Sequence, residues 1–189
     1  MNDPQKDVMM ILGKLVLVCL VSSALLGLTY VPTHDQLKIN QLEAQKLALV
    51  EILPQAAEFE EVYGTFADEN GELPILYYRA LDSSGSLVGY AFFQIYPGAQ
   101  DKIRIAGGVD SSFSKVTGVQ IMKHSETPGL GAKITEPDFR DQFLSISLED
   151  MKLSKEGGKI DSITGATISS KAVIDALNAG VSFVKEQES

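Results

Sequence analysis

The chain is predicted to be α+β, with an N-terminal transmembrane helix followed by a domain in which an antiparallel sheet is flanked by helices. Three observations predict this. No residue from 15 to 31 is charged. Residues 75–123 hold short runs rich in β-branched and aromatic side chains, separated by turn residues. After Thr167, apolar side chains recur at helical spacing almost to the end of the chain.

The chain has 189 residues, enough for one domain of ordinary size and an appendage. We read 1–34 as a membrane anchor, 35–56 as a linker helix and 57–189 as the domain. Lys14 is the one charge between positions 8 and 31, and a lysine near a span's end can snorkel to the interface. A stretch of this length covers the hydrocarbon core, which needs roughly 20 residues. A cleaved signal peptide is the rival reading, and Ser22-Ser23-Ala24 supplies the small residues it needs. Lys6 and Lys14 precede the apolar core of the span, which favours an N-terminus inside and a domain outside.

Next, Leu37, Leu42, Leu47, Ala48 and Val50 give residues 36–53 an imperfect apolar face, and Pro54 stops that helix. Ile75–Leu81 and residues 87–96 flank Asp82-Ser83-Ser84-Gly85-Ser86, a hairpin by composition. Pro97-Gly98 separates the second strand from a third, in which Ile103, Ile105, Gly107 and Val109 share a face. Val119 and Ile121 alternate in a fourth. Pro137-Asp138 opens a short helix near residues 139–144, and residues 159–163 are expected to form another strand. Val173, Ala176, Leu177, Gly180, Val181 and Val184 mark a final helix over about 168–186.

Charge and cysteine content exclude several functions. The net charge is −9, and Asp3, Asp7, Lys6 and Lys14 cancel within 1–34, so all of it belongs to the rest of the chain. Such a domain is repelled by nucleic acid and by anionic lipid. The single cysteine, Cys19, permits no intrachain disulfide, no c-type haem attachment and no cysteine-ligated iron–sulfur cluster. His34 and His124 lack sequence partners for a metal site, and no metal ligand and no catalytic side chain are expected. An electron carrier here would have to be organic.

Two loops stand out. Asp161-Ser162-Ile163-Thr164-Gly165-Ala166-Thr167 puts hydroxyls at a helix start, where phosphate is electrostatically favoured. Thr164 or Thr167 serves equally well as an ordinary cap. Glu126-Thr127-Pro128-Gly129-Leu130-Gly131 suits a type II turn, because Gly129 tolerates the positive φ at its third position. Two glycines around Leu130 allow close backbone approach to a flat ligand. A plain connecting turn would look the same.

The run Lys123-His124-Ser125-Glu126-Thr127-Pro128-Gly129-Leu130-Gly131-Ala132-Lys133-Ile134 resembles a segment of the FMN-binding G subunits of Rnf electron-transport complexes. Asp161-x-x-Thr164-Gly165-Ala166-Thr167 resembles the site where a flavin transferase links FMN to threonine through a phosphoester. Tyr96-Pro97-Gly98, Phe139 and Phe143 fit the same pattern, and the resemblance spans essentially the whole chain. The related C subunits of sodium-translocating NADH:quinone reductases carry longer insertions. Thr164 stands where many members have serine, and Ala132 replaces a residue that is often polar.

The resemblance implies one covalent FMN per chain on Thr167, delivered from FAD. Asp161 would then position the loop or serve the transferase, while Thr164, Gly165 and Ala166 shape it. Thr127 would bond the flavin ring and Leu130 would cover it, with Gly129 and Gly131 forming the turn. Glu126 either contacts the flavin or holds the turn, Lys133 either faces the ring or lies exposed, and Tyr96 either stacks or joins the core. The implied function is a redox subunit, with no substrate site of its own, of an ion-translocating, ferredoxin-linked oxidoreductase. Its partners would be the complex's other membrane and redox subunits, a flavin transferase during maturation, and the membrane itself, with no nucleic acid. It would lie in the cell membrane as a single-pass protein, N-terminus cytoplasmic and domain extracytoplasmic. Alternatives are a quinone-reductase C subunit, another anchored flavoprotein, and a non-redox interaction domain.

Overall fold

The structure, a computed structural model, describes residues 4–67, 71 and 73–189, with the side chains of 4–7, 29, 31–35 and 38 (His34 among them) outside the description. The chain divides into two compact units, Met1–Glu43 and Ala44–Ser189. Helix α1 runs over Pro4–Ile52. Its Val8–Leu28 stretch has a mean hydropathy of 2.4 and none of it is buried by protein. At helical rise, 21 residues span roughly 30 Å, the thickness of a bilayer's hydrocarbon core. Leucines and valines that would be costly in water are therefore placed for lipid. Cys19 lies exposed within this stretch.

The domain is built on a five-stranded antiparallel meander in the order β1-β2-β3-β4-β5. The strands are β1 (Glu58–Tyr63), β2 (Ile75–Leu81), β3 (Leu87–Pro97), β4 (Lys102–Asp110) and β5 (Val116–Lys123). β2 to β5 coincide with the four strands read from the sequence. β1 is an addition to them: Glu58, Glu60 and Glu61 hide its pattern, and it is an edge strand where outward charge is tolerated and discourages further pairing. The expected β2–β3 hairpin and the β4–β5 turn are each tied by an aspartate. Asp82 accepts the Ser84 and Ser86 amides at 2.8 and 2.9 Å. Asp110 accepts those of Ser114 and Lys115 at 2.7 and 2.9 Å.

Each face of the sheet has its own cover. One packs against α3 (Thr167–Gln187) through Phe92, Ile103, Ile105, Val109, Val173, Leu177 and Val181. The face predicted for Ile103, Ile105, Gly107 and Val109 is this one. Ala80, Ala91 and Ala106 lie on the other face, against Ala48, Leu49, Ile52 and Leu53. Small residues let the end of α1 sit close: a Cβ on Gly118 would lie 3.3 Å from Ile52 Cα. The last turns of α1 thus form part of the domain core as well as leading out of the anchor. Glu51 is held there by Arg140 and Gln120, each at 2.9 Å. Arg140 ends the short helix α2 (Pro137–Arg140), which continues as a 3₁₀ turn over Asp141–Phe143.

Residues 159–163 do not form the expected strand. Ile160 makes only an isolated bridge to Leu153. Lys159 N and Ile160 N donate to the loop carbonyls of Asp150 and Lys152, while Asp161 N donates to Gln142 Oε1 at 2.7 Å and Ile163 N to Ser170 Oγ at 3.0 Å. With its amides satisfied that way, the segment has no use for a ladder partner.

At the far end of α3, Glu188 is held by the Arg79 guanidinium at 2.8 Å and by the Tyr77 and Tyr90 hydroxyls. Burial pushes the Glu188 carboxyl up, but hydrogen bonds from Tyr77, Arg79 and Tyr90 outweigh it and hold the group below its usual range. Burial, then the bond to Glu188, pushes the Tyr77 hydroxyl up to about 12. A carboxyl lowered on folding stabilises the protein fully above its unfolded pKa, and that contribution is lost as pH falls through the lower folded value. Glu188→Gln should therefore flatten the decline in Tm between neutral pH and about pH 3, where carboxylates titrate. Thermal melts across that range check it, and an unchanged slope contradicts it.

Candidate functional site

The two loops singled out in the sequence meet. They share one backbone design. Leu130 N donates to Thr127 O at 3.2 Å around Gly129, whose φ is +75°. Ala166 N donates to Ile163 O at 2.9 Å around Gly165, whose φ is +79°. Both are tight turns with glycine where the chain goes left-handed, the type II requirement. They touch directly, since a Cβ on Gly165 would stand 3.2 Å from Leu130 Cδ2.

Between the turns opens a cleft of about 440 Å³, lined by Thr127, Leu130 and Gly131 on one side and Gly165, Ala166 and Thr167 on the other, with Ala99, Gln100, Glu126, Ile168 and Ser169 completing it. This lies within the range of small-molecule and cofactor sites. Leu130 is 45 % exposed at its mouth. The cleft thus brings an exposed apolar side chain and a hydroxyl-bearing residue together.

Thr167 is the first residue of α3, and Ala166 is its N-cap, with no side-chain cap bond. Neither Thr164 nor Thr167 caps the helix. The Thr167 hydroxyl makes no hydrogen bond among the described residues. Ser170 N makes the first helical bond, to Ala166 O at 3.0 Å. The amides of Thr167, Ile168 and Ser169 precede it and have no intrahelical acceptor. Such a helix start suits an anion. A free alcohol, unsatisfied amides and an apolar plate fit a phosphate-bearing aromatic cofactor such as FMN.

Not every predicted residue lines the cleft. Gly129 is the exposed apex of its turn. Lys133 is exposed on the outer side of the 3₁₀ turn Gly131–Thr135, and Asp161 and Thr164 are exposed on the loop leading to Thr167. Tyr96 is half-buried against the core. Phe139 and Phe143 pack edge to face, 5.4 Å apart, inside it. No cluster of metal-ligating side chains occurs among the described residues.

Glu126 is the surprise. It is 4 % exposed. Its Oε1 accepts the amides of Ala99 and Gln100 at 2.8 and 3.2 Å, and its Oε2 accepts Ser169 Oγ at 2.6 Å. It therefore holds far more than its own turn. Sequence reading misses Ser169, Ser170 and Gln142. Gln142 grips the backbone of Asp161, and Ser170 Oγ links Ile163 N to Ala166 O. The available signal is a pair of serines at positions 169 and 170, on a helix otherwise apolar toward the core.

The fold and cleft define a membrane-anchored α+β domain of the FMN-binding class: the FMN-binding domain family matches residues 98–182, which include both turns and most of α3. Similarity extends further. The G subunit of the ion-translocating oxidoreductase complex of Methanosarcina acetivorans is 50 % identical over 188 residues, covering 100 % of both chains. The protein of the same name from Aliivibrio fischeri strain ES114 is 33 % identical over 92 % of this chain and 89 % of its own. The G subunit of the Na(+)-translocating ferredoxin:NAD(+) oxidoreductase complex of Acetobacterium woodii is 33 % identical over 88 % of this chain and 86 % of its own. The chain belongs to the family of G subunits of ion-translocating oxidoreductase complexes.

Proposed function

We propose that this protein is the electron-carrying G subunit of an Rnf-type ion-translocating oxidoreductase, holding one FMN through a phosphoester to Thr167. The observation that carries the reading is the Thr167 hydroxyl, unbonded at the start of α3 on a residue that lines the same cleft as the Leu130 turn. The amides that begin α3 would stabilise the phosphodiester's negative charge. Leu130 would cover the ring and Thr127 would bond its polar edge. Glu126 and Gly131 hold that turn, while Gly165 and Ala166 keep the attachment loop narrow. Thr164 would support the shape of that loop, and the exposed Asp161 would be gripped by a flavin transferase during maturation. Lys133 and Gly129 stand outside the cleft lining and would act at most at its edge.

When bound, FMN supplies one-electron acceptance and release. This chain's residues supply its position. A tether prevents loss of the cofactor outside the cytoplasm, and an open cleft lets redox partners approach. Partners are the other subunits of the complex. The Val8–Leu28 span is the single membrane pass, with the N-terminus cytoplasmic and the FMN domain outside, as Lys6 and Lys14 favour. Full-length similarity to G subunits supports this reading over a quinone-reductase C subunit.

The test is co-expression with a flavin transferase, followed by a denaturing gel viewed under ultraviolet light. A fluorescent band at 20.4 kDa plus one cofactor is expected. A dark band, with the transferase active on a control substrate, refutes covalent attachment.

A further inference from the structure

We propose that Glu126 and Ser169 form a buried clamp that sets the separation between the cofactor's anchor point and the plate its ring rests on. This rests on the functional reading above for its consequence, and on the structure for the clamp itself. Three segments converge on one carboxylate. The turn after β3 gives two amides, from Ala99 and Gln100. The first turn of α3 gives the Ser169 hydroxyl, two residues from Thr167. The third segment carries Glu126 itself, next to Thr127.

The surrounding glycines are spaced for this carboxylate. A Cβ on Gly98 would lie 2.3 Å from Glu126 Oε1 and 2.7 Å from Asp101 O. One on Gly131 would lie 2.6 Å from Glu126 Oε2 and 2.7 Å from Ser169 Oγ. Neither glycine has a positive φ, in contrast to Gly129 and Gly165. Their missing side chains provide room. Gly131 thus makes space for the clamp, whatever it also does for a ligand. A carboxylate this buried relies on these donors, because each one lost leaves a polar group short of a partner where little water reaches.

The physical purpose follows from the tether. A phosphoester fixes one end of a flexible cofactor and leaves its ring free to swing. Holding the ring still needs a second contact at a constant distance from the first. The clamp supplies that constancy by joining the helix that bears Thr167 to the turn that bears Leu130. Glu126 and Ser169 are positioning residues, and pre-ordering of this kind lowers the entropic cost of fixing the ring.

The test uses the full-length chain in detergent, loaded by a co-expressed transferase. Time-resolved fluorescence anisotropy of the attached flavin should show only slow tumbling in the wild type. Ser169→Ala and Glu126→Ala should each add a fast component, on the order of nanoseconds or less, read on the chains that mass shows to carry FMN. Because both remove the bond between Glu126 and Ser169, the double variant should add little beyond Glu126→Ala. Decays of both single variants that superimpose on the wild type overturn the proposal. Should the variants fail to fold, hydrogen exchange on the unaltered protein decides. Ala99 and Gln100 lie in an exposed turn yet should exchange slowly, and fast exchange at both overturns the clamp. A wild-type chain that carries no flavin refutes the functional reading, and the exchange result still judges the clamp.

Discussion

Replacing Thr167 with valine is expected to abolish covalent flavin, whereas Thr164→Val is expected to leave it in place. Valine keeps the shape of threonine and removes only the nucleophilic oxygen. The helix loses nothing by the change, because its N-cap is Ala166 and no threonine side chain bonds the first-turn amides. Away from caps and buried partners, such a substitution moves stability by no more than about 0.5 kcal/mol. Far-ultraviolet circular dichroism and Tm should therefore match the wild type while in-gel fluorescence vanishes. Thr164 is exposed and its hydroxyl is likewise unbonded among the described residues, so chemistry alone does not separate the two. Position does: Thr167 lines the cleft at the helix start, and Thr164 is turned out of it. A fluorescent Thr167→Val band, or a dark Thr164→Val band, reverses the assignment.

Phe92→Ala is expected to cause a large loss of stability. Phe92 is wholly buried on β3, beneath α3. Its ring occupies the space that side chains at two glycines would take. A Cβ on Gly107 would come within 2.8 Å of the ring, and one on Gly180 within 2.0 Å. With glycine on both sides, neither of those positions has a side chain to refill the hole. Truncating a buried phenylalanine costs about 3–5 kcal/mol. For a domain of this size that lowers Tm by on the order of 10 °C. The complementary change has the same sign for the opposite reason. Gly180→Ala gains about 1 kcal/mol of helix propensity but drives a methyl into the ring, and overpacking of this kind costs roughly 1–3 kcal/mol. The 2.0 Å approach puts it at the upper end, so net destabilisation is expected. Both variants also loosen the helix that carries Thr167. Thermal unfolding of the pair checks both expectations, and a Gly180→Ala protein more stable than wild type contradicts the second.

Much of this architecture is visible in the chain because periodicity and turn residues agree. β2 to β5 announce themselves through alternating apolar residues bounded by Asp, Ser, Gly and Pro. The final helix announces itself through the spacing of Val173, Leu177, Val181 and Val184. Both turns of the cleft are legible because a positive φ favours glycine, which stands at positions 129 and 165. β1 escapes because only Phe59 and Val62 turn toward other residues, three positions apart and out of strand phase. Residues 159–163 look like a strand because β-propensity does not reveal that Gln142 and Ser170 have claimed the amides. The packing role of α1 escapes because the small residues that receive it, Ala91, Ala106, Gly108 and Gly118, sit on other elements.

The same limit applies within the site. The pattern around Thr167 can be read locally, since helix start, hydroxyl and narrow loop are consecutive. Glu126 cannot, because its partners are 27, 26 and 43 residues away. Read locally, Gly131 suggests ligand approach. In three dimensions it clears space for a carboxylate held by two other segments. What looks like one ligand-binding motif is therefore two parts: a turn that presents Thr127 and Leu130, and a buried joint that fixes where that turn stands.

Whether Thr167 carries FMN is decided by proteolysis of the transferase-matured protein and tandem mass spectrometry of the flavin-bearing peptide. A single such peptide is expected, containing residues 161–167, with one FMN localised by fragmentation to Thr167. A flavin on Thr164, on another peptide, or on none despite an active transferase refutes the assignment.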